Sequence, residues 1–457
     1  MMTATPGDGV HNSNSSSSQG SAQSALAAAE SRFIANNPLS KKQHGLAVDS
    51  LPGGNTRTLL YTSPFPLSIN RGEGAYVWDE DGHKYVDFVG ELSAGLYGHS
   101  RAEIRQAILS TLDATGLSLG ATTAHEQRYA SLLCARFRLA RVRTTNSGTE
   151  ANLHALAGAR RFTGRRKVVV FSGGYHGAVL SFPDGRPAPN AVDPADFVVA
   201  PRYNHVPSAL DAIAAAAADN DLAAVLVEPM QGSAGCIPAT AEFLAAVQDA
   251  AHARGALFIL DEVMTSRLAP HGLGVEMGLR PDLVTMGKYL GGGLAFGAFG
   301  GREDVMAVYD PRVEGALAHS GTFNNNTLVM RAGLAGLREV YTPEVCVRFR
   351  EIGDNFRERL RGVARGTRMS FTGRGSLIGL HFTEDGTEDI RCKEDIKGKV
   401  RTDLRDLFWF EMLEAGFWTT RRGFIAMILD TPQSELDAFV GAVTQFLERH
   451  RDLMMVA

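Results

Sequence analysis

Cysteine is scarce in this chain: four residues, Cys134, Cys236, Cys346 and Cys392, widely spaced and with no CxxC pair. That spacing offers neither a disulfide framework nor a zinc or other metal site, and a reducing compartment suits it best. Long apolar runs are missing too. None approaches the roughly 18 to 20 residues that a membrane helix needs. Charge of one sign is not in excess, since 46 Lys and Arg stand against 50 Asp and Glu, a formal net charge of −4. A basic footprint for nucleic acid is therefore absent. What is present is a chain of 457 residues, 44% of them hydrophobic, enough to build two domains with cores of their own.

The first residues are poor in everything that folds. The run HNSNSSSSQGSAQS cannot bury enough apolar surface to offset its ordering entropy, which predicts a disordered leader over residues 1–24. It has no basic start followed by an apolar core, as a secretory signal would. Nor has it the arginines of a transit peptide, the first arginine being Arg32. The expectation is a cytoplasmic enzyme.

From Ala25 to about Asn37 the pattern ALAAA followed by Phe33 and Ile34 predicts a helix. The stretch YVWDEDGHKYVDF, turning at Asp81 and Gly82, predicts a hairpin. The middle of the chain changes character. Short buried-strand candidates at 167–171, 223–227, 257–260 and 282–286 alternate with helical stretches, which argues for a mostly parallel sheet covered by helices. Beyond about residue 330 come a helix through VRFREIGDNFRERLRG, a few strands, and a last helix with Leu436, Phe439, Val440, Val443 and Leu447 on one face. The expected division is a leader over 1–24, an N-terminal helix with short strands over 25–85 that packs with the small domain, a large domain over 86–330, and a smaller C-terminal α/β domain over 331–457.

Ligands of open parallel sheets collect at the carboxyl ends of the strands. Asp261 and Lys288 both stand at such ends, in ALFILDEV and PDLVTMGKYLGGG. An amine can form a Schiff base with an aldehyde, and a buried carboxylate can keep a pyridine nitrogen protonated; together they suggest pyridoxal phosphate (PLP). Singly, a lysine after a strand is usually a surface residue and an aspartate there a helix cap. The run TTNSGTEAN adds a third element. Ser147 followed three residues later by Glu150 fits a capping box, and a helix starting at Gly148 would offer a phosphate its backbone N–H groups and the hydroxyls of Ser147 and Thr149. FSGGYHG then offers Tyr175 or His176 as a ring to lie against a flat cofactor.

In these residues the chain resembles the class III, fold type I PLP-dependent aminotransferases: SGTEAN, GGYHG, VEPMQG, ALFILDEVMTSR, PDLVTMGKYLGGG and HSGTFNNN carry the resemblance, which spans roughly residues 30–450. It implies an α/β fold with a mostly parallel seven-stranded sheet and a smaller C-terminal domain. Within the family the chain is similar to the glutamate-1-semialdehyde aminomutase branch and, more closely, to β-phenylalanine aminotransferases. By that resemblance Lys288 carries PLP, Asp261 meets the pyridine nitrogen, and Ser147, Gly148 and Thr149 hold the phosphate. Tyr175, with His176 beside it, and Val263 flank the ring; Glu228 and Asn204 line the site. Thr322 reaches a phosphate across a homodimer with shared active sites. Met264 departs from the glutamine that many members carry there, which leaves the cofactor hydroxyl without an assigned partner. Arg57 and Arg422 resemble the arginines that hold the carboxylates of donor and acceptor, with Arg421 adjacent to the latter. The implied reaction is transfer of the amino group of an aromatic β-amino acid to 2-oxoglutarate or pyruvate; an aminomutase or racemase is the alternative.

Overall fold

The computed structural model describes residues 13–456, with side chains from residue 20. One helix runs Ser13–Asn36, so the disordered leader is overturned from residue 13 onward, and the helix begins well before Ala25. Residues 1–12 of that expectation lie outside the described residues. The cause is tertiary. Ala22, Ala29 and Phe33 fall on one face and are buried, and Phe33 packs on Trp409 and Phe410 with ring centroids 5.8 and 5.3 Å apart. Arg32 adds an ion pair to Glu414 at 2.7 Å. Composition described the isolated segment; packing supplies what it lacks.

The hairpin joins Tyr76–Asp79 to Lys84–Asp87, with Ile69–Glu73 on its outer side. Lys84–Asp87 also pairs in parallel with Phe417–Trp418, which stitches the N-terminal strands to the C-terminal part of the chain. The Asp81 carboxylate of the turn accepts from Leu39 N and Ser40 N at 2.7 and 3.0 Å and so satisfies the start of the helix Pro38–Ala47.

Seven strands form the central sheet: β1 (Arg141–Thr145), β2 (Lys167–Phe171), β3 (Phe197–Ala200), β4 (Leu222–Val227), β5 (Leu257–Asp261), β6 (Leu283–Gly287) and β7 (Gly297–Gly301). Their order is β1-β7-β6-β5-β4-β2-β3, with β7 alone antiparallel to its neighbours. The mostly parallel α/β sheet is as expected, yet the sequence did not single out β7. GAFGG reads as a loop, but it is buried throughout. A Cβ at Gly300 would run into Arg141 O, and one at Gly301 into Asp282 O, so glycine is what lets this strand lie between its partners.

Met369–Arg374, Leu377–Phe382 and Phe424–Ala426 form a separate antiparallel sheet. The helices Pro343–Ala364, Thr402–Glu414 and Gln433–Arg449 complete this region. On the last, Leu436, Phe439, Val443 and Leu447 are buried, with Val440 at the margin. Among the described residues no helix is long and apolar enough to cross a membrane.

Candidate active site

A cavity of about 1260 Å³ opens at the carboxyl ends of β5 and β6. These strands are parallel neighbours, so Asp261, the last residue of β5, and Lys288, the first after β6, are delivered to the same edge. Lys288 turns into the cavity on a left-handed backbone, φ 56°. Its Nζ donates to Leu92 O at 2.9 Å. Burial lowers its amine from the usual 10.5 to about 8; Asp261 opposes the shift, and Arg422 and Arg57 add to it.

Asp261 is 4% exposed and fully engaged. Oδ1 accepts from Val263 N at 3.0 Å. Oδ2 accepts from Asn152 Nδ2 at 2.9 Å and lies 2.8 Å from His176 Nδ1. His176 is therefore buried beside the carboxylate, not laid open as a stacking ring; Tyr175, 37% exposed, is the ring on the cavity wall. Asn152 escaped the sequence reading. Its signal was its place four residues after Gly148, on the same face of the helix, where a buried asparagine needs partners: it also donates to His176 O and accepts from Thr285 Oγ1.

The helix Gly148–Thr163 starts at the cavity with Ser147 as its cap, Ser147 Oγ accepting from Glu150 N at 3.2 Å. The expected box is not reciprocal. Glu150 Oε2 accepts from Asn146 N at 2.9 Å, one residue earlier than a capping box requires. Gly148, Thr149 and Val263 all line the cavity. A Cβ at Gly148 would stand 2.7 Å from Val263 Cγ1, so the glycine keeps this slot open.

Glu228 lines the cavity and braces Tyr175, accepting Tyr175 N at 2.9 Å and Gly232 N at 3.0 Å. Burial pushes its carboxyl up to about 7, against the pull of His176. Asn204 is not brought to the site. It sits in a left-handed turn, φ 55°, where its amide donates to Pro238 O and Arg391 O and its oxygen accepts Thr240 N. It ties loops together, a job that asparagine's tolerance of this conformation suits. Thr322 is exposed and away from the cavity walls. Met264 lines the cavity, and its sulfur fills the space a side chain at Gly232 would need.

Arg57 and Arg422 both line the cavity. Arg57 pairs with Glu91, a residue the sequence reading missed. Glu91 and Leu92 belong to a run, Gly90 to Ser93, with φ between 48° and 76°, a strained turn for three non-glycine residues. Arg267, fully buried, holds it from below by donating to Ser93 O at 3.1 Å. Arg422 forms no ion pair among the described residues and lies over the Phe424 ring at 5.7 Å. Arg421 is committed elsewhere, to Asp406 at 2.8 Å and to Ser63 O. The two adjacent arginines thus have separate surroundings.

Comparison with known proteins places this geometry. The model of the class-III aminotransferase family matches residues 61–423. The chain is 48% identical over 433 residues to a β-phenylalanine transaminase of Variovorax paradoxus, covering 94% of this chain and 97% of that one. A crystal structure of the β-phenylalanine aminotransferase from that organism superposes with a TM-score of 0.92 at 48% identity, over 95% of this chain and 100% of the other. A glutamate-1-semialdehyde 2,1-aminomutase of Sorangium cellulosum is 38% identical over 420 residues, 88% of this chain and 93% of its own.

Proposed function

The chain belongs to the class-III aminotransferase family, and from that membership we propose that it moves the amino group of an aromatic β-amino acid, such as (S)-β-phenylalanine, to 2-oxoglutarate or pyruvate by a ping-pong route. It is a PLP-dependent transaminase. The residues present fit the cofactor. Lys288 offers an amine depressed to about 8 for its aldehyde, Asp261 a triply bonded buried carboxylate for its pyridine nitrogen, and the helix start at Gly148 and Thr149 an anion site for its phosphate. Tyr175 and Val263 would face the ring, while His176 and Asn152 act through Asp261. Glu228 braces Tyr175.

Bound there, PLP supplies an electron sink for the carbon that carries the substrate's nitrogen. The rest falls to the chain. Lys288 Nζ, largely neutral above pH 8, takes the proton from that carbon and returns one in the second half of the cycle. Leu92 O holds the amine at the cavity wall meanwhile. Arg57 receives the carboxylate of the β-amino acid and Arg422 that of the keto acid, since guanidinium groups bind carboxylates in a bidentate manner.

The observation that carries the reading is two guanidinium groups, Arg57 and Arg422, on the wall that also presents Lys288. The decisive assay incubates the PLP-loaded enzyme with (S)-β-phenylalanine plus 2-oxoglutarate or pyruvate. Formation of the β-keto acid only when a keto acid is added supports transfer. Turnover without a keto acid would favour the aminomutase reading, to which the 38% identical relative gives weight; no turnover with either acceptor overturns the substrate.

We also propose a homodimer in which the partner's Thr322 completes the phosphate site. Phe323 is 60% exposed, and Leu117 and Leu119 are 46% and 49% exposed. Thr327 Oγ1 donates to Gly116 O and Asn325 Nδ2 to Ala121 O, so the two segments that carry these exposed apolar side chains are tied together near Thr322. The same reading keeps the cofactor domain at 86–330, the small domain at 331–457 with the segment to 85 packed on it, and a cytoplasmic setting, which four unpaired cysteines suit.

A further inference from the structure

Arg267 is 1% exposed, yet no carboxylate pairs with it among the described residues. Tyr97, Tyr289, Tyr341 and Cys346 surround it, and its guanidinium lies 5.8 Å from the Phe349 ring. Enclosing an unmatched charge is costly, and a methionine would fill much of the same space without one. Stability alone is therefore a poor reason for an arginine here. What the guanidinium does is hold two carbonyl groups. Nη1 donates to Ser93 O at 3.1 Å and Nη2 to Met427 O at 2.6 Å, while Nε is left without a partner.

Those carbonyls belong to segments that build the cavity wall. Ser93 ends the run Gly90 to Ser93, whose residues have φ of 49°, 48°, 52° and 76°. L-residues take this conformation singly, not in a row, so such a run persists only where its surroundings fix it. Asp87 fixes its start, Oδ1 accepting from Val89 N at 2.7 Å and Gly90 N at 2.9 Å. Ala426 O lies 2.7 Å from where a Cβ at Gly90 would stand, and Met427 is the next residue. Arg267 thus clips the end of the run to the strand Phe424–Ala426, and does so from the segment that follows β5 and Asp261. The run in turn delivers two groups to the site. Leu92 O accepts from Lys288 Nζ at 2.9 Å, and Glu91 pairs with Arg57.

We infer that Arg267 is a positioning residue for the reaction, acting through the Gly90 to Ser93 run to keep Leu92 O against the Lys288 amine. The inference rests on the transaminase reading and on neither of its proposed substrates. An amine that donates one N–H to a fixed carbonyl has its lone pair aimed in one direction, as a proton transfer at a fixed carbon requires. Without the guanidinium the run loses its bond at Ser93 O and relaxes toward ordinary backbone, carrying Leu92 O away from the amine.

Hydrogen exchange on the PLP-loaded wild type comes first, since it needs no variant. The amides of Leu92, Ala94 and Gly95, bonded to Val89 O, Glu91 O and Gly90 O, should be protected at least about a hundredfold over a free peptide; weaker protection overturns the inference. In Arg267→Met that protection should fall at least about tenfold while the amides of β4 keep theirs, and kcat at saturating substrate and PLP should fall at least about tenfold. Arg267→Lys, which keeps a donor for one carbonyl, should recover part of both, and carries the comparison by itself if the methionine variant does not fold. Protection lost in β4 as much as in the run, or an undiminished kcat, would leave Arg267 a packing residue and overturn the inference. Exchange is read without substrate, and kcat with whichever donor the wild type accepts. Inactivity toward β-phenylalanine therefore overturns the proposed donor and leaves this comparison standing.

Discussion

His176 Nδ1 lies 2.8 Å from Asp261 Oδ2, with both side chains nearly sealed from solvent. The pair is not an isolated bridge. Asn152 Nδ2 reaches the same oxygen at 2.9 Å and Val263 N the other at 3.0 Å, so the carboxylate cannot rotate without breaking three contacts. The role proposed for Asp261, facing a fixed pyridine nitrogen, needs that rigidity, and the helix Gly148–Thr163 and the turn after β2 supply it together.

Replacing Asp261 by asparagine keeps the shape and removes the charge. In the place of Oδ2 the amide oxygen can still accept from His176 and Asn152, but the NH2 then faces Val263 N and no negative charge is left, and kcat should fall at least about a hundredfold. His176→Phe should cost less activity, roughly tenfold, because Asn152 and Val263 still orient the carboxylate. Steady-state kinetics at saturating PLP check both. Equal losses would mean that His176 does more than position Asp261.

The depressed amine of Lys288 gives a pH signature in the PLP-free protein. Its folded value is about 8 against 10.5 for the free group, so between these limits the unfolded chain holds a proton that the folded one has released. Unfolding then takes up protons, and stability rises as the pH climbs through that window, by about 3 kcal/mol for a shift of this size. Lys288→Met should lack this rise. Urea titrations of both proteins at pH 7.5, 9 and 10 measure the difference; parallel curves would contradict an enclosed, reluctant amine.

Much of the site was legible because its residues sit where strands end, and strand ends are marked in sequence by apolar runs that stop. Asp261, Lys288 and Tyr175 are of this kind, whereas Ser147, after the polar strand RVRTT, was legible through its cap pattern with Glu150. What escaped depends on contacts between distant segments. Glu91 and Leu92 reach the cavity only through a left-handed run that no local pattern announces. Asn204 looked like a lining residue but serves loops at 238–240 and 391. Likewise GAFGG hides β7, since its glycines answer to Arg141 and Asp282 rather than to any turn.

The N-terminal helix carries the largest correction and a stability prediction with it. Phe33 is 4% exposed and contacts three aromatic rings, those of Phe65, Trp409 and Phe410. Phe33→Ala should destabilise the protein by about 3–5 kcal/mol, as a large aromatic removed from a packed site does. A loss below about 1 kcal/mol in chemical denaturation would mean that the helix docks only weakly.

Arg421 and Arg422 are neighbours in sequence with opposite expected phenotypes. Arg421 bonds Asp406 and lies 5.2 Å over the Phe410 ring and 5.4 Å over Trp409, so Arg421→Ala should cost about 1–3 kcal/mol of stability. Its effect on acceptor KM should be small. Arg422 is largely enclosed, and desolvation lowers its pKa below the ordinary arginine value. It has no ion-pair partner among the described residues to lose, so Arg422→Ala should leave thermal stability unchanged or raise it, because an unmatched charge leaves the interior. The same substitution should raise the acceptor KM by about ten- to a hundredfold through the lost carboxylate contact. Measuring Tm and KM for both variants separates the roles; a KM effect in Arg421→Ala and a Tm loss in Arg422→Ala would exchange them.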